Sequence, residues 1–282
     1  MLTSKEFSLF QSYIKKSCGI IINEDKSYLI ESRLIRLLVD YGFETFEELY
    51  SMIEANKDPL LAEKVIEEMT TNETLWFRDK TPWKIMDELL LPRLVDQVRK
   101  KEISKVRLWS AASSTGQEAY STVMAINEHL EKNNITDVKL SDFEIIATDI
   151  SRQVIEIAKK GRYDPISMRR GIDEYYKNKY FEKDGNTWKI KENIKNVVKF
   201  QKLNLQNTFV SMGKFDIILC RYVMIYFSQE FKNDLLEKLY KSLNGDGAMF
   251  IGSSELLYNN KHFFDENEYK QGIYYTKKIL EV

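Results

Sequence analysis

The chain of 282 residues is poor in the residues that build stapled or metal-bound scaffolds, with two cysteines and two histidines. Two cysteines make neither a disulfide framework nor a tetrahedral zinc site. Cys18 and Cys220 stand far apart in apolar surroundings and read as buried free thiols. Four prolines and 11 glycines exclude collagen-like, low-complexity and disordered compositions. Lys plus Arg (42) and Asp plus Glu (43) nearly cancel, so no global basic field draws the chain onto nucleic acid or anionic lipid. No stretch approaches 18 apolar residues, and Met1–Phe10 alternates polar and apolar positions without the apolar core of a signal peptide. A cytoplasmic chain without membrane insertion is expected. The histidines, His129 and His262, fall in helical or surface segments outside every motif described below. A Ser-His-Asp site or a histidine base is therefore poorly supported.

What is present is ordinary globular material, 43% hydrophobic and 30% charged, long enough for a catalytic domain with a small second domain. Residues 1–70 read as an all-helical unit. Apolar residues recur at helical spacing in Phe7, Phe10 and Ile14, in Leu29, Leu34, Leu37 and Leu38, and in Phe46, Leu49, Met52 and Ile53. Gly42 reads as a C-terminal cap. Residues 71–104 are expected to form a linker and the start of a catalytic domain that fills 105–282. There strands (Lys105–Ser110, Phe143–Thr148, Phe215–Leu219, Ala248–Gly252) alternate with helices (Glu118–Lys132, Arg152–Lys160, Gln229–Leu243). That alternation predicts an α/β fold, a doubly wound and mostly parallel sheet. Asn244-Gly245-Asp246-Gly247 reads as a turn, and Tyr274–Ile279 as a final strand closing the sheet edge. Residues 164–204 break the rhythm. A helix over Ile172–Tyr180, a turn at Lys183-Asp184-Gly185-Asn186 and flanking strands Thr187–Ile190 and Val197–Lys202 predict a small antiparallel insertion.

The first strand ends in Trp109-Ser110-Ala111-Ala112-Ser113-Ser114-Thr115-Gly116-Gln117-Glu118, a run of small residues before a helix. Such a loop brings backbone amides to a ligand at the carboxyl ends of the strands, where open α/β sheets bind. It reads equally as a short polar turn. With one glycine it is neither a G-x-G-x-x-G cradle nor a P-loop. The second strand ends in Ala147-Thr148-Asp149-Ile150. An acid there accepts hydrogen bonds from both hydroxyls of an adenosine ribose, although it could also cap the following helix. Its place one βα unit after the small-residue loop favours the ligand reading. Adenosine without pyrophosphate fits best, so S-adenosylmethionine is preferred to a nicotinamide dinucleotide.

Four ordered strings carry a family resemblance across nearly the whole chain. They are Thr71-Asn72-Glu73-Thr74-Leu75-Trp76-Phe77-Arg78-Asp79, Trp109-Ser110-Ala111 with Ser114-Thr115-Gly116-Gln117-Glu118-Ala119-Tyr120-Ser121, Ala147-Thr148-Asp149-Ile150, and Cys220-Arg221-Tyr222-Val223-Met224-Ile225-Tyr226-Phe227. The chain resembles the CheR family of chemotaxis receptor glutamate O-methyltransferases. The resemblance implies cofactor contacts at Asn72, Thr74, Arg78, Ala111, Glu118, Asp149, Ile150, Asn204, Leu205, Arg221 and Tyr222. It also implies transfer of a methyl group from S-adenosylmethionine to receptor glutamates, leaving S-adenosylhomocysteine. Two residues depart from the family pattern: Tyr222 stands where Asn is usual, and Ser253 where His is usual.

Methylating a glutamate needs no general base, because a carboxyl with a reference pKa of about 4.3 is already ionised at neutral pH. The work is alignment and exclusion of water. Arg78 is expected to hold the carboxylate through its planar fork, and Tyr226 to orient the carboxylate or the methyl donor. The resemblance also implies that the helical unit faces receptor helices, through residues such as Lys26, Arg33 and Arg36, the two arginines lying on one helix face. The resemblance also raises peptide capture by the antiparallel insertion, but the short hairpin between Phe181 and Trp188 suggests a member that works without that tether; a monomer is expected. The alternatives are a methyltransferase with another acceptor and a non-catalytic cofactor-binding module in which Tyr222 and Ser253 mark lost activity.

Overall fold

Capping decides where the first helices begin. Thr3 and Thr45 each accept the amide of a glutamate three residues on, and Glu6 and Glu48 return the bond, which starts α1 (Ser4–Cys18) and, after α2 (Ser27–Tyr41), α3 (Phe46–Glu54). Asp58 followed by Pro59 starts α4 (Pro59–Met69). Gly19 and Gly42, both left-handed, end α1 and α2. The apolar faces meet in one core that includes Phe10, Ile14, Leu34, Leu49 and Leu61, all fully buried. The computed structural model describes residues 2–257 and 262–278. Among these, no helix is long and apolar enough to cross a membrane.

α5 (Lys80–Ile85) and α6 (Leu91–Arg99) are joined through a single π-helical turn and lead into β1 (Val106–Ala111), α7 (Gln117–Lys132), β2 (Phe143–Asp149) and α8 (Arg152–Lys160). A small unit follows: β3 (Arg162–Tyr163), α9 (Pro165–Arg169), α10 (Glu174–Tyr180), β4 (Phe181–Asp184), β5 (Thr187–Ile190) and α11 (Glu192–Lys195). The chain ends with β6 (Val198–Lys202), β7 (Phe215–Cys220), α12 (Gln229–Ser242), β8 (Leu243–Phe250), β9 (Phe264–Tyr269) and β10 (Gly272–Lys277). The main sheet has the order β6-β2-β1-β7-β8-β10-β9. Its first five strands run parallel, and β10 is antiparallel to both of its neighbours. The helices α5 to α7 and the small unit share one core against the sheet, while α12 packs on a second through Phe231, Leu235 and Leu239.

Three expectations are corrected. Val197–Lys202 is not part of the antiparallel insertion: β6 pairs in parallel with β2, from Ile145 opposite Val198 to Asp149 opposite Lys202, and forms the sheet edge. The insertion instead recruits β3, giving the three-stranded order β3-β5-β4. A strand after a hairpin has the same local pattern in either sheet, and the short α11 carries the chain back to the main one. Asn244–Gly247 does not precede a strand but bulges from within β8: Leu243 lies opposite Phe215 and Ala248 opposite Ile217, so four residues face one. The last strand lies inside the sheet with β9 outside it, and the expected end of that strand, Ile279, falls outside the described residues.

The helical unit is fastened to the sheet domain by contacts that ring one end of the sheet. Asn204 Nδ2 donates to Ser17 O at 2.7 Å, Ile21 N to Tyr226 O at 2.9 Å, and Lys202 pairs with Glu63 at 2.7 Å. Glu67 accepts the amides of Arg152 and Gln153 at the start of α8. At the joint, Gly19 has φ +77°, and a Cβ there would lie 2.2 Å from the Phe231 ring of α12. Gly19→Ala therefore combines a left-handed alanine with a clash, and a loss of about 2 kcal/mol or more is expected. A urea midpoint lowered accordingly is the check.

Candidate active site

β2, β1 and β7 end side by side, and the turns that follow them form the floor of a pocket. The turn after β1 is tightly folded, with Ala112, Ser114 and Gly116 all at positive φ. Gly116 is required there because a Cβ would lie 2.9 Å from that of Ala158 in α8. The turn is pinned to the end of β2 by Ser113 N to Thr148 O at 2.8 Å and Ser114 N to Asp149 Oδ2 at 2.8 Å. Asp149 also accepts Ser151 N at 3.0 Å, and burial raises its carboxyl above the ordinary value of 3.8. Each of its oxygens keeps a further lone pair for hydroxyl donors.

The wall comes from residues 70–79. Ser114 Oγ donates to Asn72 O at 2.7 Å. Trp76 anchors the segment: its indole donates to Ser167 O at 3.1 Å and its ring packs edge-on against Tyr163 and Phe181. Arg221, whose side chain is 1% exposed, holds the end of the segment. It donates to Arg78 O at 2.6 Å, Asp79 at 2.9 Å and Glu118 at 2.8 Å. Glu118 receives Ser110 Oγ at 2.8 Å as well. The roof is supplied by Cys18 and Ile20 of the helical unit and by Leu203–Leu205.

Of the residues singled out in the sequence, Asn72, Thr74, Arg78, Glu118, Asp149, Ile150, Asn204, Leu205, Arg221, Tyr222 and Tyr226 all line this pocket. Ala111 does not; it is buried in β1, and its neighbour Ala112 lines the pocket instead. Asn204 joins the domains with its side-chain amide. Arg33 is not an open surface cation: it donates to the carbonyls of Glu68, Met69 and Thr70 at 3.0–3.2 Å, closing the C-terminus of α4. Arg36 and Lys26 are exposed, Arg36 at 3.6 Å from Asp40. His129 is buried and paired with Asp87 at 2.8 Å, away from the pocket lining, and His262 is exposed. Both thiols are buried, and burial pushes Cys18 up to about 11. Sequence reasoning missed Cys18, Ile20 and Leu203 of the roof and the role of Asp79, which depends on its contact with the distant Arg221.

Among the described residues, the lining holds no lysine or histidine, and its cations are Arg78 and Arg221. Two buried donors on the lining, Ser113 Oγ and Arg221 Nε, have no partner among the described residues. Acceptors on Asp149 and Glu118 with orphan donors nearby suit a ligand bearing hydroxyl, ammonium and carboxylate groups. They do not make a phosphate cradle.

Residues 5–70 match the family described as CheR methyltransferase, all-alpha domain, and residues 72–273 match CheR methyltransferase, SAM binding domain. The chain belongs to the CheR methyltransferase family. It is 39% identical over 274 residues to chemotaxis protein methyltransferase 1 of Pseudomonas aeruginosa, covering 97% of this chain and 98% of that one. It is 37% identical to chemotaxis protein methyltransferase Cher2 of Pseudomonas putida, with the same coverage, and 36% identical to the chemotaxis protein methyltransferase of Vibrio parahaemolyticus, covering 98% of each. The cofactor of this CheR chain is S-adenosylmethionine, and the unpartnered donors and acidic acceptors of the pocket fit it.

The buried ion triad sets a stability prediction. Glu118→Gln leaves the Arg221 charge with one full counter-charge and is expected to lower stability by about 2 kcal/mol. Glu73→Gln, at an exposed 3.6 Å pair with Arg170, is expected to change it by less than about 0.5 kcal/mol. Chemical denaturation of the two variants side by side is the measurement.

Proposed function

We propose that this CheR protein transfers the methyl group of S-adenosylmethionine to glutamate carboxylates of chemotaxis receptors, forming methyl esters and S-adenosylhomocysteine. The observation that carries this reading is Arg78. It lines the same pocket as Tyr226 and stacks on the Tyr222 ring, and it has no ion-pair partner among the described residues. A guanidinium held at such a site without a carboxylate of its own is suited to receive one from outside. The named activity of the relatives, chemotaxis protein methyltransferase, supports the same reading. The bound cofactor supplies an electrophilic methyl on a sulfonium cation. The protein's own contribution is to bring an anionic acceptor to it in line, with Arg78 as the clamp and Tyr226 as the orienting phenol, in a pocket roofed against water.

On this reading Asp149 and Ile150 serve the adenosine, Glu118 and the Arg221 edge the amino-acid end, and Asn72, Thr74, Leu205 and Tyr222 complete the cofactor walls. Of the three cations singled out, Lys26 and Arg36 are exposed and available to an acidic receptor face, without Arg33. The short β4–β5 hairpin is consistent with action without a peptide tether.

The direct test is incubation with labelled S-adenosylmethionine and chemoreceptor membranes, which should give base-labile label on the receptor. Label only on other acceptors, or cofactor binding without transfer, would overturn the proposal. Arg78→Ala should slow transfer roughly 100-fold while the fold is retained. Unchanged turnover in that variant would remove Arg78 from the site.

Acidity supplies a second test. An ionised Asp149 offers both oxygens as charged acceptors to two ribose hydroxyls, which the protonated acid does not, and burial raises its pKa. Affinity for S-adenosylhomocysteine should therefore fall as pH drops through a value above 3.8, earlier than for an ordinary aspartate. In Asp149→Asn, titration calorimetry at neutral pH should show binding about 30-fold weaker, with that acid limb gone.

A further inference from the structure

Tyr222 and Ser253, the two departures from the family pattern, touch each other. The phenol of Tyr222 and Ser253 Oγ are 2.7 Å apart, and the same phenol donates to Asp79. The Tyr222 amide donates to Glu255 Oε2 at 2.7 Å. The ring also lies against Gly252, where a Cβ would approach two ring carbons to 2.9 Å. The backbone is strained: φ is +59°, a left-handed conformation that asparagine tolerates and a large aromatic residue adopts rarely. Strain of this kind persists where the surroundings over-determine it, and it is common at functional sites. Arg78 lies over this ring with its Cζ 3.4 Å from the centroid, while the Cζ of the ion-paired Arg221 is 5.6 Å away.

An arginine at a pocket wall ordinarily samples many rotamers. Stacking on a ring uses the face of the guanidinium and leaves its in-plane N–H donors free. We propose that Tyr222 is a positioning residue: its ring, fixed by Asp79 and Ser253, holds Arg78 flat so that the guanidinium edge is presented to the acceptor carboxylate. The second half of this statement rests on the reading of Arg78 given under Proposed function.

The test is a double-mutant cycle with a spectroscopic arm. Tyr222→Asn fits the left-handed backbone, so its thermal midpoint should be unchanged or raised, while kcat for transfer to chemoreceptor membranes falls about tenfold, as when one long side chain must be ordered at each encounter. Tyr222→Phe keeps the ring and should lose about threefold or less. In an Arg78→Gln background, Tyr222→Asn should change kcat by less than twofold. By NMR, the Arg78 side-chain resonances should carry a ring-current shift in the parent protein and in Tyr222→Phe, and lose it in Tyr222→Asn. Full kcat in Tyr222→Asn, an equal loss in both backgrounds, or the absence of a ring-current shift in the parent protein would overturn the proposal. If the parent protein puts no label on receptor while the ring-current pattern holds, the acceptor reading fails and the positioning of Arg78 stands.

Discussion

A guanidinium with 1% of its side chain exposed must be neutralised where it lies, and the site is arranged around that requirement for Arg221. Taking the charge from water costs several kcal/mol unless close counter-charges and hydrogen bonds replace the lost hydration. Glu118 from α7 and Asp79 from the linker supply the charges, and Arg78 O supplies a further acceptor. Three segments distant in sequence are thereby fixed on one side chain: the end of β7, the first turn of α7 and the segment that follows the helical unit. Asp79 sits at φ +55° and Phe77 at +46°, so the linker bends sharply where Arg221 holds it. That bend sets Arg78 over Tyr222. The buried triad is thus better understood as a device for geometry than as a source of net stability.

The helical unit completes the site as much as it caps the fold. Ile20 packs into both its own core and the core on the α12 face of the sheet, and an isolated bridge pairs it with Phe227. Asn204 to Ser17 and Glu67 to the start of α8 place further interdomain contacts beside residues of the pocket. Arg33, by closing the last carbonyls of α4, fixes Thr70, the first lining residue of the wall. A cation that the sequence offers for binding a partner is used to hold the wall in register.

This explains which parts were legible in advance. The parallel strands and their helices follow from apolar runs and periodicity, and the motif residues converge because each lies at a strand end or in the wall segment. The rest depends on contacts between distant residues. β9, Phe264–Tyr269, carries Asp, Glu, Asn and Glu in succession and shows no strand pattern; it is a strand because β10 lies beside it. Val198–Lys202 could have joined either sheet on local evidence. Ala111 was off by one because the burial of the last strand residue and the exposure of the first turn residue change between neighbours. Tyr222 and Ser253, 31 residues apart, read as two separate departures until the fold brought them together.

The two arginines of the lining show how surroundings assign roles to identical side chains. Arg221 is buried, with two carboxylates and a carbonyl arranged on its donors, so an incoming anion would have to displace a counter-charge to use them. Only its Nε is left without a partner among the described residues, and that atom is buried. Arg78 is half-buried, its face covered by a ring and its edge without an ion pair among the described residues. Binding a carboxylate there breaks no existing pair and gains a charge-assisted fork at a partly dehydrated site. The difference in partners, rather than in chemistry, makes Arg221 the fixed point and Arg78 the group free to meet a substrate. It also accounts for the strained Tyr222, since an arginine left without a carboxylate needs some other contact to keep it in place.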